Sequence, residues 1–357
     1  MKNASQDQIS IAVIGLGLIG RRHAQTILEE PGARLVAVVE PVAVPEIVLS
    51  HFKVPYYPTI SDLLAGPDIP KCAIVCTPND THVPISLELI KAGIHILVEK
   101  PISTSIGSGR GLVHAAEQAQ VKLLVGHHRR FNPHIISAKQ VIGAGILGNI
   151  IAITGLWTTF KPPSYFQSPT EWRQSSSAGV LLINMIHDID LLHHLFGPIT
   201  RVYAERTAAQ RGYIAEEGAA ITLRFACGVV GTFLTCDHTP SPHSFEAGTG
   251  ENPMISKTEK DFYRVFGTEG MLEIPHCRVW SYREGEEKSW SSKLVVEEGG
   301  VEEDIPFVSQ LKHFLRVVKG EEEPMCSGAD GLRALIVCEA IKRSMRDEVP
   351  VTIDVST

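Results

Sequence analysis

The strongest constraint on this fold is a glycine run between an apolar stretch and a helix-compatible one. Ile9 to Ile14 leads into Gly15-Leu16-Gly17-Leu18-Ile19-Gly20 and then Arg21 to Glu30. Read as strand, turn and helix, the order matches G-x-G-x-x-G. The first glycine makes a tight turn, the second admits a pyrophosphate to the backbone, and the third lets helix and strand pack closely. The free N–H groups and positive dipole end of the next helix face such phosphates. Gly15, Gly17, Leu18, Ile19 and Gly20 are therefore candidate dinucleotide contacts.

A second apolar strand, Arg34 to Val39, ends in Glu40. That is where an acid accepts hydrogen bonds from the adenosine ribose hydroxyls. A carboxylate there repels a 2′-phosphate, so NAD is the expected cofactor and NADP the alternative.

The first third continues as strand and helix in alternation. Strands are expected at Ala33 to Glu40, Cys72 to Cys76, His95 to Val98 and Lys122 to Gly126, and helices at Glu46 to Phe52, Val83 to Ala92 and Arg110 to Ala119. Alternation with continuously apolar strands implies a doubly wound parallel sheet, buried on both faces. After about His127 the pattern changes to a helix (Pro133 to Ile142), a strand (Ile150 to Thr158), the loop Lys161-Pro162-Pro163 and a helix from Val180 to Phe196. Hairpin-like strands follow at 201–206, 219–226, 229–236, 262–266 and 271–274, with turn signals at Gly228 and Gly267 to Gly270. The region 239–257 is rich in Pro, Gly and Ser and is expected to be a mobile loop. Helices over Pro306 to Val318 and Ala329 to Met345 close the chain. The expected architecture is α/β: a dinucleotide-binding domain over 1–127, then an α+β domain over 128–357 with an open, mostly antiparallel sheet for substrate binding and oligomerisation.

Composition excludes several classes. A formal net charge of −7 provides no basic field for nucleic acid. No apolar run approaches the roughly 20 residues that cross a bilayer. Met1 to Ser10 lacks the regions of a signal peptide, so no membrane partner and a cytosolic address are expected. The seven cysteines are odd in number and scattered, as reduced thiols are. A zinc site at His187, Asp190 and His194 is not expected, since they share no tight face.

Three segments can carry chemistry. Cys76-Thr77-Pro78-Asn79, with His82 beyond, follows a strand, and open α/β sheets bind ligands outside the carboxyl ends of their strands. Glu99-Lys100-Pro101 has the same setting. Lys100 there can hydrogen-bond a substrate oxygen and stabilise alkoxide character. The third is the helix bearing Asn184, His187 and Asp188, which regular α-helical spacing places on or near one face. A histidine on it suits general acid or base work near neutral pH. The blander readings are a strand-end turn, a solvated lysine and a core histidine.

Together these segments resemble the glucose-fructose oxidoreductase, inositol dehydrogenase and MocA family (Gfo/Idh/MocA). The match runs through Ala12 to Gly20, Cys76 to Asn79, Ala92-Gly93 to Pro101, Gly126 to Pro133, Trp172-Arg173 and His187 to Asp190. The resemblance implies a Rossmann domain, a C-terminal α/β domain with an open sheet that forms a homodimer or homotetramer, and oxidation of a secondary alcohol on a sugar, cyclitol or related ring. It makes Lys100 the catalytic lysine and His187 the acid/base histidine. Trp172, Arg173, His127 and Arg129 would border the cofactor, with Glu99, and His128 and Arg130 the substrate. Two departures stand out: Ser177-Ala178-Gly179 replaces the usual three glycines, and Ile183 stands where many members carry an aspartate, with Asn184 the nearest polar substitute. A less polar ring substrate, such as a cis-dihydrodiol, ketone or imine, would suit the aromatic stretch Trp157 to Phe166. An inactive dinucleotide-binding sensor is the reading from another class, opposed by the retention of Lys100 and His187.

Overall fold

The computed structural model describes residues 8–354 apart from 43, 176 and 177. The stretch Met1 to Asp7 and Ser177, both used above, lie outside the described residues. The chain divides into two compact units, Met1–Phe131 with Ile305–Leu335, and Asn132–Asp304 with Ile336–Thr357.

The first unit holds a six-stranded parallel sheet of β1 (Ile9–Ile14), β2 (Ala33–Val39), β3 (Tyr56–Tyr57), β4 (Cys72–Val75), β5 (His95–Val98) and β6 (Leu123–Val125), in the order 3-2-1-4-5-6. Every residue of β4 is buried, as the apolar runs require. Between the strands run α1 (Leu18–Glu29), α2 (Glu46–Phe52), α3 (Ile60–Ala65), α4 (His82–Lys91) and α5 (Ile106–Gln118). Local chemistry starts two of them: the Thr59 hydroxyl accepts from the Asp62 N–H at α3, and Ser105 from the Ser108 N–H at α5. The order 3-2-1-4-5-6 reverses between β1 and β4, the topological switch point where open α/β sheets bind ligands.

The second unit opens with α6 (Pro133–Gly143), capped by Asn132 with proline in the first turn. Next come β7 (Ile150–Thr158), a π-helical turn over Leu181–Met185 and α7 (Ile186–Phe196). β8 (Ile199–Arg206), β9 (Gly218–Phe225), β10 (Val230–Cys236), α8 (Phe245–Thr249), β11 (Tyr263–Gly267), β12 (Gly270–Ile274), β13 (Arg278–Ser281) and β14 (Val295–Glu298) follow. After α9 (Pro306–Lys319) and α10 (Gly328–Asp347), the chain ends on β15 (Val351–Thr352). The nine-stranded sheet runs 14-13-12-11-7-10-9-8-15 and is antiparallel except where β7 pairs with β10. β9 and β10 alternate buried and exposed residues, the mark of a sheet with one covered face.

Three expectations are corrected. Residues 305–335 belong with the first unit rather than the second, because Leu311, Phe314, Leu315 and Val317 of α9 join the core of Ile9, Ile11, Ala24, Ile27 and Leu35. The stretch 239–257 is no free loop: Ser244 caps α8, and Phe245 and Ala247 are buried. The helix expected from Val180 to Phe196 is broken by the π-turn, a feature that recurs at functional sites.

Candidate active site

In the first unit the glycine run does what its spacing requires. Gly15 has φ +92°, and a Cβ there would stand 2.8 Å from the Cys76 carbonyl oxygen. A Cβ on Gly20 would lie 1.9 Å from the Gly15 carbonyl oxygen, so α1 seats on the turn only without one. Gly17 faces open space at the start of α1, no side chain caps that helix, and Leu18 beside it is exposed. This is the cradle a pyrophosphate needs. Glu40 sits at the end of β2 with one carboxylate oxygen 2.8 Å from the Leu16 N–H. The loop itself thereby orients the acid, and the cradle and acid together fit a dinucleotide.

Around the ends of β4 and β5 the side chains are more structural than their sequence suggested. Cys76 packs against Gly15 and Gly20, and burial pushes its thiol well above the ordinary range, so it contributes shape rather than a thiolate. The Thr77 and Thr81 hydroxyls bond at 2.7 Å across the Pro78-Asn79 turn. His82 is buried, with its ring nitrogens 2.8 Å from the carbonyls of Pro101 and Thr77. Expected as a cofactor contact, it instead ties the two strand-end loops together. Burial lowers its pKa against the pull of both carbonyls.

Glu99 is likewise an anchor. Its carboxylate accepts from His23 at 3.0 Å and from the Lys100 N–H at 3.3 Å, and it lies over Gly126, where a Cβ would meet it at 2.8 Å. Burial alone would raise its pKa, but the His23 hydrogen bond and the nearby His23, His128 and Lys100 outweigh that and bring it down to about 2. The His23 ring lies 5.1 Å from Phe307 and the His128 ring 4.5 Å, so α9 braces this anchor. Lys100 is half-buried at the tip of β5, joined to Pro101 by a cis peptide bond. His127, Arg129 and Arg130 are buried. The Arg130 guanidinium donates to the Met325 carbonyl, which tethers the 305–335 segment. Sequence reasoning missed His23 and Phe307, one a helix histidine and the other a residue far along the chain.

In the second unit the polar side chains gather where β7 and β10 end. Lys161, just beyond β7, is buried; its ammonium donates to Asn184 Oδ1 at 2.7 Å and pairs with Asp237 at 3.2 Å. Asp237 also accepts from Arg211. The Lys161 ammonium lies 4.8 Å from the Tyr165 ring, and burial lowers its pKa against the pull of Asp237. Trp157 donates its indole N–H to Glu246 at 2.8 Å, and Phe166 is buried beneath Arg211. Trp157 and Phe166 therefore pack on their own unit, while Phe160 between them is exposed. Neither Lys161 nor Asp237 had been singled out, since their pairing joins two segments distant in sequence.

The π-turn separates residues that uniform helical spacing had grouped. Asn184 turns to Lys161, whereas Asp188 is fully buried on the Tyr263 hydroxyl. His187 is also buried, three positions after Asn184. The turn starts at Gly179, with φ +89°, where a Cβ would stand 2.2 Å from the Glu216 carboxylate. Glu216 accepts from the Leu181 N–H at 3.0 Å, satisfying an orphan donor of the helix start, and burial raises its pKa. Of the three glycines usual in the family, the one retained is the one that this carboxylate requires. Trp172 is half-exposed on a 3₁₀ turn, and Arg173 stacks 3.8 Å over Tyr165 while donating to its carbonyl at 3.0 Å.

Comparison with known proteins agrees with this geometry. Residues 9–127 match the model for the oxidoreductase family NAD-binding Rossmann fold, and residues 139–353 that for the family's C-terminal alpha/beta domain. The chain is 24% identical to an inositol 2-dehydrogenase of Rhizobium meliloti (strain 1021), covering 97% of this chain and 99% of that protein. It is 26% identical to a scyllo-inositol 2-dehydrogenase (NAD(+)) of Bacillus subtilis (strain 168), covering 98% of each. Among solved structures it resembles the WlbA dehydrogenase from Bordetella pertussis in complex with NADH and UDP-GlcNAcA, with a TM-score of 0.78, 23% identity and coverage of 98% and 100%. Aldose-aldose oxidoreductase from Caulobacter crescentus is similar too, with a TM-score of 0.78, 22% identity and coverage of 97% and 100%. On these matches, which span both units, the chain is an NAD-binding oxidoreductase of the Gfo/Idh/MocA family.

Proposed function

We propose that this enzyme prefers NAD and oxidises a secondary alcohol on a hydroxylated ring, a sugar or cyclitol. The observation that carries the cofactor preference is Glu40, held by the Leu16 N–H beside the open Gly17. A carboxylate fixed there accepts from both ribose hydroxyls and repels a 2′-phosphate. The inositol dehydrogenases among its relatives support the substrate class. Bound NAD supplies the hydride-accepting ring. Lys100 hydrogen-bonds the reacting oxygen and stabilises its developing negative charge. His187 carries the proton.

The nine-stranded sheet leaves one face of β9 and β10 exposed, including Thr222, Val230, Thr232 and Leu234. This face supports self-association as a homodimer or homotetramer. Steady-state kinetics with both cofactors against a panel of polyols, aldonates and dihydrodiols tests the proposal. It expects kcat/KM to favour NAD, with turnover of polyols; a preference for NADP, or activity confined to dihydrodiols, overturns it.

A further inference from the structure

A carboxylate discriminates between two cofactors only if it is held in place, and Glu40 is held at its backbone as well as its side chain. Its N–H donates to the Tyr57 carbonyl at 3.1 Å, and its own carbonyl accepts from the Tyr56 hydroxyl at 2.6 Å. One carboxylate oxygen takes the Leu16 N–H at 2.8 Å. The other lies 3.4 Å from the Val42 N–H, the next one along, since Pro41 has none. The Leu16 peptide is gripped in turn, because its carbonyl accepts from Arg21 Nε at 3.0 Å. Glu40 is thus tied to the glycine loop on one side and to β3 on the other. β3 is a strand of only two residues, paired to β2 at Val38 and Val39, so its ladder alone holds the 40–42 turn weakly. Its two tyrosines differ in what their hydroxyls do. The Tyr56 hydroxyl spans the turn, lying also 3.4 Å from the Val42 carbonyl oxygen, whereas the Tyr57 hydroxyl packs where a Cβ on Gly66 would stand 2.6 Å from it.

We propose that Tyr56 is a positioning residue for cofactor discrimination: its hydroxyl fixes the 40–42 turn and so keeps the Glu40 carboxylate where it meets the adenosine ribose. The inference rests on the reading above, in which Glu40 confers the preference for NAD. Two N–H donors leave the carboxylate with lone pairs still open to a ribose diol. Without the hydroxyl, the Glu40 carbonyl turns to water and the backbone that carries the acid gains freedom. The carboxylate then accepts less well from the ribose hydroxyls and opposes a 2′-phosphate less directly. Tyr56 needs no contact with the cofactor to act in this way, and its whole effect passes through Glu40.

The test is fluorescence titration of the whole protein with NADH and with NADPH, which needs no alcohol substrate. It compares wild type, Tyr56→Phe, Tyr57→Phe, Glu40→Ala and the double variant Tyr56→Phe with Glu40→Ala. Wild type should bind NADH the more tightly. Tyr56→Phe, which loses one hydroxyl and keeps the ring, should narrow that preference by roughly three- to tenfold, the effect of one hydrogen bond, through a raised Kd for NADH. Tyr57→Phe, in the same strand, should leave the ratio as it is. In the Glu40→Ala background, Tyr56→Phe should change the ratio no further. A ratio unchanged in Tyr56→Phe, or NADH and NADPH weakened equally, overturns the inference while the NAD preference stands. A shift that persists without Glu40 also overturns it, by making the hydroxyl act on the cofactor directly. Equal binding of the two dinucleotides by wild type, or tighter NADPH, overturns the cofactor reading itself and the role of Tyr56 with it.

Discussion

At the scale of single residues, two carboxylates next to glycines set the first unit's chemistry. Glu99 is held low, to about 2, by His23 and neighbouring charges despite its burial. A depressed carboxylate adds stability that is present above its unfolded pKa of roughly 4.3 and lost as pH falls toward the folded value. Wild type should therefore exceed Glu99→Gln in denaturant stability at neutral pH, with the gap closing between about pH 4.5 and 2. A gap independent of pH would mean that Glu99 matters only for packing. Glu40 acts differently, through selection. Glu40→Ala should narrow the NAD over NADP preference by roughly ten- to a hundredfold, the effect of one lost charge-assisted contact and one relieved repulsion; an unchanged ratio of kcat/KM values would locate the discrimination elsewhere. Both acids stand beside motif residues, and Glu40 was legible from its place after a strand. The pairing of Glu99 with His23 was not, because nothing in the spacing links a strand end to the middle of α1.

At the scale of elements, the π-turn before α7 is the feature that uniform periodicity could not show. A 3.6-residue repeat puts Asn184 and Asp188 near one face, whereas the wider turn sends Asn184 to Lys161 and Asp188 to Tyr263. Gly179→Ala should destabilise that start, since its φ is +89° and the Glu216 carboxylate occupies the Cβ position. A loss of about 1 to 3 kcal/mol in denaturant unfolding is expected for such strain; a stability equal to wild type would mean that the carboxylate moves aside freely. The β13–β14 hairpin escaped sequence reading for another reason. Its strands are only four residues each, one half-buried and the other largely exposed, so they show little alternation. α8 was hidden by a loop-like composition around one buried phenylalanine.

At the scale of the whole molecule, the parallel sheet was legible because strands buried on both faces are continuously apolar, while the return of residues 305–335 to the first unit was not. An amphipathic stripe states that a helix covers a core, without saying which core. Phe314→Ala should cost about 3 to 5 kcal/mol, the usual loss for a fully buried aromatic, and residues 1–131 made alone should bind a hydrophobic dye where the whole protein does not. A well-folded, dye-silent fragment would contradict the placement of α9. The catalytic claim rests most directly on Lys100, and turnover beside NADH fluorescence titration of Lys100→Ala tests it. Turnover of ring alcohols should fall by roughly two to four orders of magnitude, with NADH affinity close to wild type. Activity near the wild-type level would contradict the account and make Lys100 a strand-end charge with no part in the chemistry.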